Sequence, residues 1–200
     1  MTDGDDGLRD DELVARAKAG DEEAWRELYR AHAGRLVVWL RTIAGGDPAV
    51  SPEDLAAEAW LTAAAKVADF EGTSSQFAGY LFGIGRHLAA NDRRRVGRRQ
   101  TFDVDPADLT AAGPAEEPHQ EVDDQAWVRW RLSALPTRER EVIACLEVVG
   151  LDIATTAAAL GMSATAVRVA RHRGLRRLRA TSDTPTTTST TTTTKSHPAV

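Results

Sequence analysis

The clearest chemical signal in this chain is a run of arginines near its C-terminal end. Between Ser163 and Arg179 the sequence holds six arginines and no acidic residue. Guanidinium groups bind phosphate oxygens through paired, charge-assisted hydrogen bonds. Solvated helix faces usually mix both signs of charge, so a one-signed face favours a polyanionic partner. The pattern predicts a helix that contacts nucleic acid, and an ordinary amphipathic surface helix is the alternative.

The residues before the basic run have the pattern of a helix-turn-helix. Residues 135–160 read as a short helix and a second helix that ends at Gly161, which can adopt a left-handed conformation. Ser163 is a favourable N-cap for the basic helix. The apolar side of the basic helix is formed by residues at helical spacing, namely Val167, Ala170, Gly174 and Leu178. Such a helix would meet base edges with its first residues and phosphates with its later arginines.

A second basic run lies at residues 93–99, where five of seven positions are arginine. It ends a long amphipathic helix, which is predicted from the spacing of Phe77, Leu81, Ile84 and Leu88. A solubilising helix end, stabilised by the helix dipole, is the alternative interpretation.

Charge is segregated along the chain. The net charge of the 200 residues is −5, which alone argues against binding to nucleic acid. However, residues 133–180 hold eight arginines and four acidic residues, whereas residues 101–132 hold two arginines and eight acidic residues. Separate basic surfaces can therefore bind an anion despite the negative total.

The sequence contains no pattern that predicts catalysis, a cofactor or a metal site. Cys145 is the only cysteine, so neither an internal disulfide nor a cysteine cluster can form. The five histidines lack metal-ligand spacing: His32, His87, His119, His172 and His197. Walker loops, dinucleotide fingerprints and nucleophile elbows are absent from the sequence. The acidic N-terminus does not resemble a signal peptide and no apolar run has membrane-spanning length, so we expect a cytoplasmic protein without membrane insertion.

Helical periodicity recurs along the chain and no strand pattern stands out, which predicts an all-α fold. A stretch rich in proline and acidic residues interrupts this helical periodicity once, and the periodicity ends at a threonine-rich stretch. The predicted order is a disordered N-terminus (1–10), a helical domain (11–100), a flexible acidic linker (101–123), a helix-turn-helix domain (124–180) and a disordered tail (181–200).

The first domain has one strong helix start, at Ser51 and Pro52, and we expect that helix to run to about Phe70. Asp54 and Glu58 lie one turn apart on it, either as a binding pair or as part of a solvated face. The tryptophans at helical apolar positions are expected in the core rather than as stacking platforms: Trp60, Trp127 and Trp130.

The order and spacing of these pieces resemble a sigma-70-family sigma factor of the small extracytoplasmic-function (ECF) group. The N-terminal match runs from Leu13-Val14-Ala15-Arg16-Ala17 through Pro52-Glu53-Asp54-Leu55 and Phe70-Glu71-Gly72 to Asn91-Asp92-Arg93-Arg94. The C-terminal match includes Leu135-Pro136, Arg140-Glu141-Val142, Gly150-Leu151 and Leu160-Gly161. Together the two stretches cover roughly residues 10–99 and 125–179.

The resemblance implies a region 2-like and a region 4-like domain, with core RNA polymerase and promoter DNA as partners and an anti-sigma factor as a further candidate. The implied polymerase-binding residues are Asp54, Leu55, Glu58 and Trp60. Those implied for the −10 element are Arg86, Asn91, Arg93, Arg94, Arg95, Arg98 and Arg99. Those implied for the −35 element are Ser163, Ala164, Thr165, Arg168, Arg171, His172 and Arg173. The alternative is a helix-turn-helix regulator that binds DNA without polymerase.

Overall fold

The computed structural model of the protein describes residues 12–43, 49–103 and 124–182, and every regular element in these ranges is helical. Helix α1 spans residues 12–18. The remaining helices are α2 (Glu22–Ile43), α3 (Pro52–Lys66), α4 (Ser74–Asp103), α5 (Asp124–Ser133), α6 (Thr137–Ile143), α7 (Ile153–Leu160) and α8 (Ala164–Ser182). The predicted all-α fold is confirmed. The predicted N-terminal segment, residues 104–123 of the predicted linker and the tail beyond residue 182 lie outside the described residues.

The break between α1 and α2 is made by two adjacent residues. Gly20 has a φ of 87°, a left-handed conformation that side chains disfavour. Asp21 then caps α2, because its Oδ1 accepts hydrogen bonds from the backbone N–H groups of Glu23 at 2.9 Å and Ala24 at 3.3 Å. The indole Nε1 of Trp25 donates to the carbonyl oxygen of Ala17 at 3.0 Å and so ties the two helices together.

Helix α3 begins with a capping box. The Ser51 hydroxyl accepts from the Asp54 backbone N–H at 3.0 Å, and the Asp54 carboxylate accepts from the Ser51 backbone N–H at 3.2 Å. The helix ends at Lys66 and continues as a 3-10 turn over Val67–Asp69, so the predicted end near Phe70 is a few residues too late for the α-helix itself.

The core of the first domain is aromatic. Phe77 is fully buried and its ring lies near those of Trp25, Trp60 and Phe70, with centroids 6.3, 6.1 and 5.8 Å away. Trp39 and Phe82 are also fully buried, with ring centroids 5.3 Å apart. These contacts join α2, α3 and α4 into one packed unit.

The second domain is built from α5 to α8. A single π-helical turn, Ala144–Val148, follows α6. Arg140 on α6 holds the end of α5, since its guanidinium donates to the carbonyl oxygens of Leu132, Ser133 and Leu135 at 3.0, 2.9 and 3.1 Å. These bonds satisfy carbonyl groups that a helix end leaves unpaired.

The two domains are packed against each other. Helix α4 of the first domain lies along α7 of the second, and α2 contacts α5 and the π turn. Helix α4 also continues to Asp103, three residues beyond the predicted end of the first domain.

The tryptophans do not all behave as predicted. Trp60 is buried, as expected, and Trp130 is half-buried. Trp127 is 50% exposed, so its predicted core position is wrong. Trp127 borders a surface cavity with Val128, Leu132 and Leu175, so neighbouring side chains of α5 and α8 cover only part of its ring.

Candidate DNA and polymerase interfaces

The helix-turn-helix is formed by α7 and α8, whose axes are bent by 98° at the break between them. The Asp152 side chain accepts from the Thr155 backbone N–H at 2.9 Å and begins α7. Although burial opposes ionisation, hydrogen bonds from Thr155 hold the pKa of Asp152 below its usual value. Gly161 ends α7 with φ 61° and ψ 41°. Ser163 then accepts from the Ala166 backbone N–H at 3.1 Å, which confirms both residues as predicted helix caps.

Helix α8 separates into a packed side and a basic side. Val167, Ala170 and Gly174 are buried against the rest of the domain. The space at Gly174 is tight, since an added Cβ would lie 3.0 Å from Cγ1 of Ile143. The predicted −35 residues at exposed positions are Ser163, Thr165, Arg168, Arg171, His172 and Arg173, while Ala164 is half-buried. The structure therefore brings this predicted set together on one accessible helix.

Two of the α8 arginines are already paired. The Nε of Arg171 lies 2.6 Å from Oε1 of Glu147, and Arg177 lies 3.2 Å from Oε2 of Glu139. The others have no ion pair with any described residue: Arg168, Arg173, Arg176 and Arg179. DNA phosphates could therefore bind these four arginines without first displacing a carboxylate.

The predicted −10 residues on α4 divide between two faces. Asn91, Arg94, Arg95 and Arg98 line a cleft of about 340 Å³ between α3 and α4, together with Glu58. Arg94 donates to Oδ1 of Asn91 at 2.5 Å. Asp92 also lines the cleft, and its carboxylate lies 3.9 Å from a guanidinium nitrogen of Arg95, so the cleft combines three arginines with an amide and two carboxylates. The arginines and the amide suit single-stranded phosphates and base edges.

Arg86 and Arg93 lie on the other face of α4 and point to the second domain. Arg86 Nε donates to Oε2 of Glu141 at 3.1 Å, and an Arg93 guanidinium nitrogen lies 3.9 Å from Oε1 of the same carboxylate. Arg93 also donates to the carbonyl oxygen of Ile43 at 3.0 Å. Arg99 is in α4, but its side chain lies outside the described residues.

The predicted polymerase-binding residues are spread around α3. Asp54 is used in the capping box, and Leu55 is 4% exposed in the core. Glu58 is exposed in the cleft beside the α4 arginines. Trp60 is 9% exposed and forms part of a different surface, described next. The four residues do not form one patch.

An apolar groove of about 740 Å³ runs between α2 and α3, and it was not among the binding surfaces predicted from the sequence. Tyr29 is 56% exposed and Leu61 is 73% exposed along it. Its lining also includes Trp25, Ala33, Val37, Ala57, Trp60 and Ala64, and its rim includes Arg26, Arg30 and Glu53. A second apolar stripe on α3, formed by Ala57, Leu61 and Ala64, was the signal in the sequence that could have predicted it.

Comparisons with known proteins agree on one family. The family model for sigma-70 region 2 matches residues 28–99, and that for sigma-70 region 4 matches residues 126–178. The chain is 33% identical over 177 residues to the ECF RNA polymerase sigma factor SigD of Mycobacterium tuberculosis, with 86% of this chain and 84% of SigD covered. The chain belongs to the sigma-70 family, in its ECF group.

Two further relatives support the assignment of this sigma factor. ECF RNA polymerase sigma factor ShbA of Streptomyces griseus is 33% identical over 191 residues, with 88% of this chain and all 100% of ShbA covered. The solved structure of CnrH in complex with the cytosolic domain of CnrY superimposes with a TM-score of 0.64 at 25% identity, covering 87% of this chain and 97% of CnrH.

The sigma factor carries no metal cluster of three or more His, Cys, Asp or Glu side chains within residues 12–43, 49–103 and 124–182. In the same ranges, no single helix is long and apolar enough to cross a membrane.

Proposed function

We propose that this sigma factor directs promoter-specific transcription initiation through three surfaces: the basic side of α8, the cleft beside α4 and the groove between α2 and α3. Family membership supports the overall role, since two region models match the two domains and the curated relatives are RNA polymerase sigma factors. The observation that carries the proposal is the separation of these surfaces on two domains of one chain.

The basic side of α8 is proposed to read the −35 duplex. Ser163, Thr165 and Arg168 lie at the N-terminal end of α8, the end that approaches base edges in helix-turn-helix complexes. Arg173 and Arg176 lie one to two turns further along and would hold the phosphate backbone.

The cleft is proposed to hold the opened strand of the −10 element. Arg94, Arg95 and Arg98 supply the positive charge, and Asn91 can donate to and accept from a base edge. Strand opening then requires no covalent chemistry by this chain, because binding energy gained on the unpaired strand offsets the cost of unstacking.

The groove is proposed as the main polymerase-binding surface, with Glu58 as a secondary contact beside the cleft. Tyr29 and Leu61 are large apolar side chains that the folded chain leaves exposed, which is typical of a protein-binding surface. The same groove would suit an anti-sigma partner, which would thereby exclude polymerase. CnrH, the structural relative, was solved with a bound protein domain. We expect the complex to act in the cytoplasm.

Transcription in vitro tests the proposal. Purified chain and bacterial core polymerase are incubated with fragmented genomic DNA from the same source, and transcript ends are mapped. Discrete start sites that require the chain are expected. Sequence-specific retention of duplex DNA by the chain alone, without any polymerase-dependent transcript, would instead favour the stand-alone regulator.

A further inference from the structure

We propose that Val169 of α8 selects a thymine in the −35 element, through apolar contact between its methyl groups and the C5-methyl group of that base. Val169 is not among the −35 residues predicted from the sequence. The inference rests on the proposed −35 role of α8, and it adds a specificity-determining side chain together with the chemical group of the DNA that this side chain recognises.

The first observation is that the folded chain leaves Val169 exposed to solvent. Val169 lies on the second turn of α8 and is 43% exposed. The hydrophobic core includes Val167 and Ala170 of the same helix, but it does not include Val169. β-Branched residues are also less favourable in a helix than alanine or arginine. Neither core packing nor helix propensity therefore explains a valine at this position.

Val169 also differs from the other large hydrophobic side chains that are exposed within the described residues. Tyr29 and Leu61 lie along the groove between α2 and α3, and Trp127 borders an apolar cavity of about 270 Å³ in the second domain. Those three side chains belong to larger apolar surfaces, which suit a protein partner. Val169 instead lies on the basic side of α8, which suits DNA.

Helix geometry places Val169 on the half of α8 that faces away from the rest of the domain. Ion pairs mark the two edges of that half, since Arg171 contacts Glu147 and Arg177 contacts Glu139. With about 3.6 residues per turn, these two arginines lie roughly 60° to either side of the buried side of α8, whereas Val169 lies roughly 140° from it. A duplex that approaches the basic side of α8 therefore meets Val169 directly.

The surroundings of Val169 suit the major groove of a duplex. Thr165 lies one turn before it and Arg173 one turn after it, and both are exposed. A valine side chain has neither a hydrogen-bond donor nor an acceptor, so it cannot distinguish bases by their polar groups. Thymine is the base that presents a methyl group in the major groove, and apolar side chains recognise it there. The base that matches Val169 is therefore thymine.

The size of the effect follows from the size of the group. Burial of one methyl group against an apolar side chain should strengthen binding about fourfold. Removal of that methyl group from the DNA should therefore weaken binding by about the same factor, provided that Val169 is present.

The test removes the methyl group from the DNA and shortens the side chain in separate steps. Once in vitro transcription has mapped a promoter, each thymine of its −35 element is replaced in turn by uracil, which lacks only the C5-methyl group. Competition mobility-shift assays then measure how tightly the full chain, bound to core polymerase, holds each fragment. A fragment with cytosine or 5-methylcytosine at the sensitive position tests the methyl group on a different base.

Three variants are compared with the wild type, with thermal melting as a folding check. Val169→Ala shortens the proposed contact and raises helix propensity, so it should fold normally. Thr165→Ser removes the methyl group of the neighbouring side chain and keeps its hydroxyl group. Val38→Ala is the matched control, because it makes the same exchange on α2, at a residue that lines neither the groove nor the cleft.

One uracil substitution should weaken wild-type binding about fourfold, and Thr165→Ser and Val38→Ala should keep this loss. In Val169→Ala the same substitution should change binding by less than about 1.5-fold, because little contact with the methyl group remains. At that position the wild type should also bind 5-methylcytosine more tightly than cytosine, whereas Val169→Ala should bind both alike.

Two results would overturn the inference. The first is a uracil loss that persists in Val169→Ala, and its disappearance in Thr165→Ser would assign the methyl contact to Thr165 instead. The second is a −35 element in which no thymine responds to loss of its methyl group. Both results leave the proposed function intact, because the promoter is still bound and transcribed. The absence of any start site that requires the chain would instead refute the proposed function, and this inference with it.

Discussion

Substitution of Leu61 tests the groove as the polymerase-binding surface. Leu61 is 73% exposed, so its replacement should change the free energy of unfolding by no more than about 0.5 kcal/mol. Full burial of a leucine side chain contributes about 1.5–3 kcal/mol, and most of that is still available to a partner that covers this side chain. Leu61→Ala should therefore weaken polymerase binding by about 1–2 kcal/mol, or roughly 5- to 30-fold. Leu61→Arg also places an unpaired charge under the partner, so it should weaken polymerase binding by more than about 100-fold.

The assay is fluorescence anisotropy of the labelled chain titrated with core polymerase, together with urea unfolding of each variant. Ala15→Arg is the charge-matched control, since Ala15 is exposed on α1 and does not line the groove. Wild-type affinity in Leu61→Arg, or an equal loss in Ala15→Arg, would refute the assignment of the groove.

Two further predictions concern His32 and α8. Burial, and secondarily the charge of Arg35, lower the pKa of His32 to about 4, so the folded state favours the neutral ring. The stability that neutral His32 contributes is fully present above pH 6.5, the pKa of histidine in the unfolded chain, and is lost as the pH falls towards 4. From pH 7.5 to 5 the wild type should lose roughly 2 kcal/mol more unfolding free energy in urea titrations than His32→Leu, and parallel losses would contradict this. In mobility-shift assays on a mapped promoter, Arg168→Ala should weaken binding to the duplex by about 1–3 kcal/mol and relax the preference for one base of the −35 element. Arg176→Ala should weaken binding to all duplexes alike and reduce the salt dependence of binding.

Local features of the structure were readable from the sequence because neighbouring residues supply them. The caps at Ser51 and Ser163 and the left-handed Gly161 each depend on hydrogen bonds or backbone angles within four residues. The helix-turn-helix and its basic side followed from the same local signals. The family could be recognised for this reason, since its motifs are ordered series of such signals.

The binding surfaces were less predictable because their residues meet only after folding. Asp54, Leu55, Glu58 and Trp60 are close in sequence, but the helix directs them to a cap, the core, the cleft and the groove. The groove itself needs α2 beside α3. Burial of Trp60 and exposure of Trp127 likewise depend on which faces the neighbouring helices cover, and apolar spacing within one helix does not contain that information.

The sequence alone determined that this protein is helical, that it carries two arginine-rich runs and that it resembles sigma factors. Only the tertiary structure decided which arginines of α4 are accessible. Helical periodicity separates Arg86 and Arg93 from Arg94 and Arg98, but it does not say which pair is engaged. That depends on Glu141, which lies 55 positions beyond Arg86 and reaches it only because α7 packs along α4. Charge pairing between distant segments follows from packing, and no local pattern encodes it.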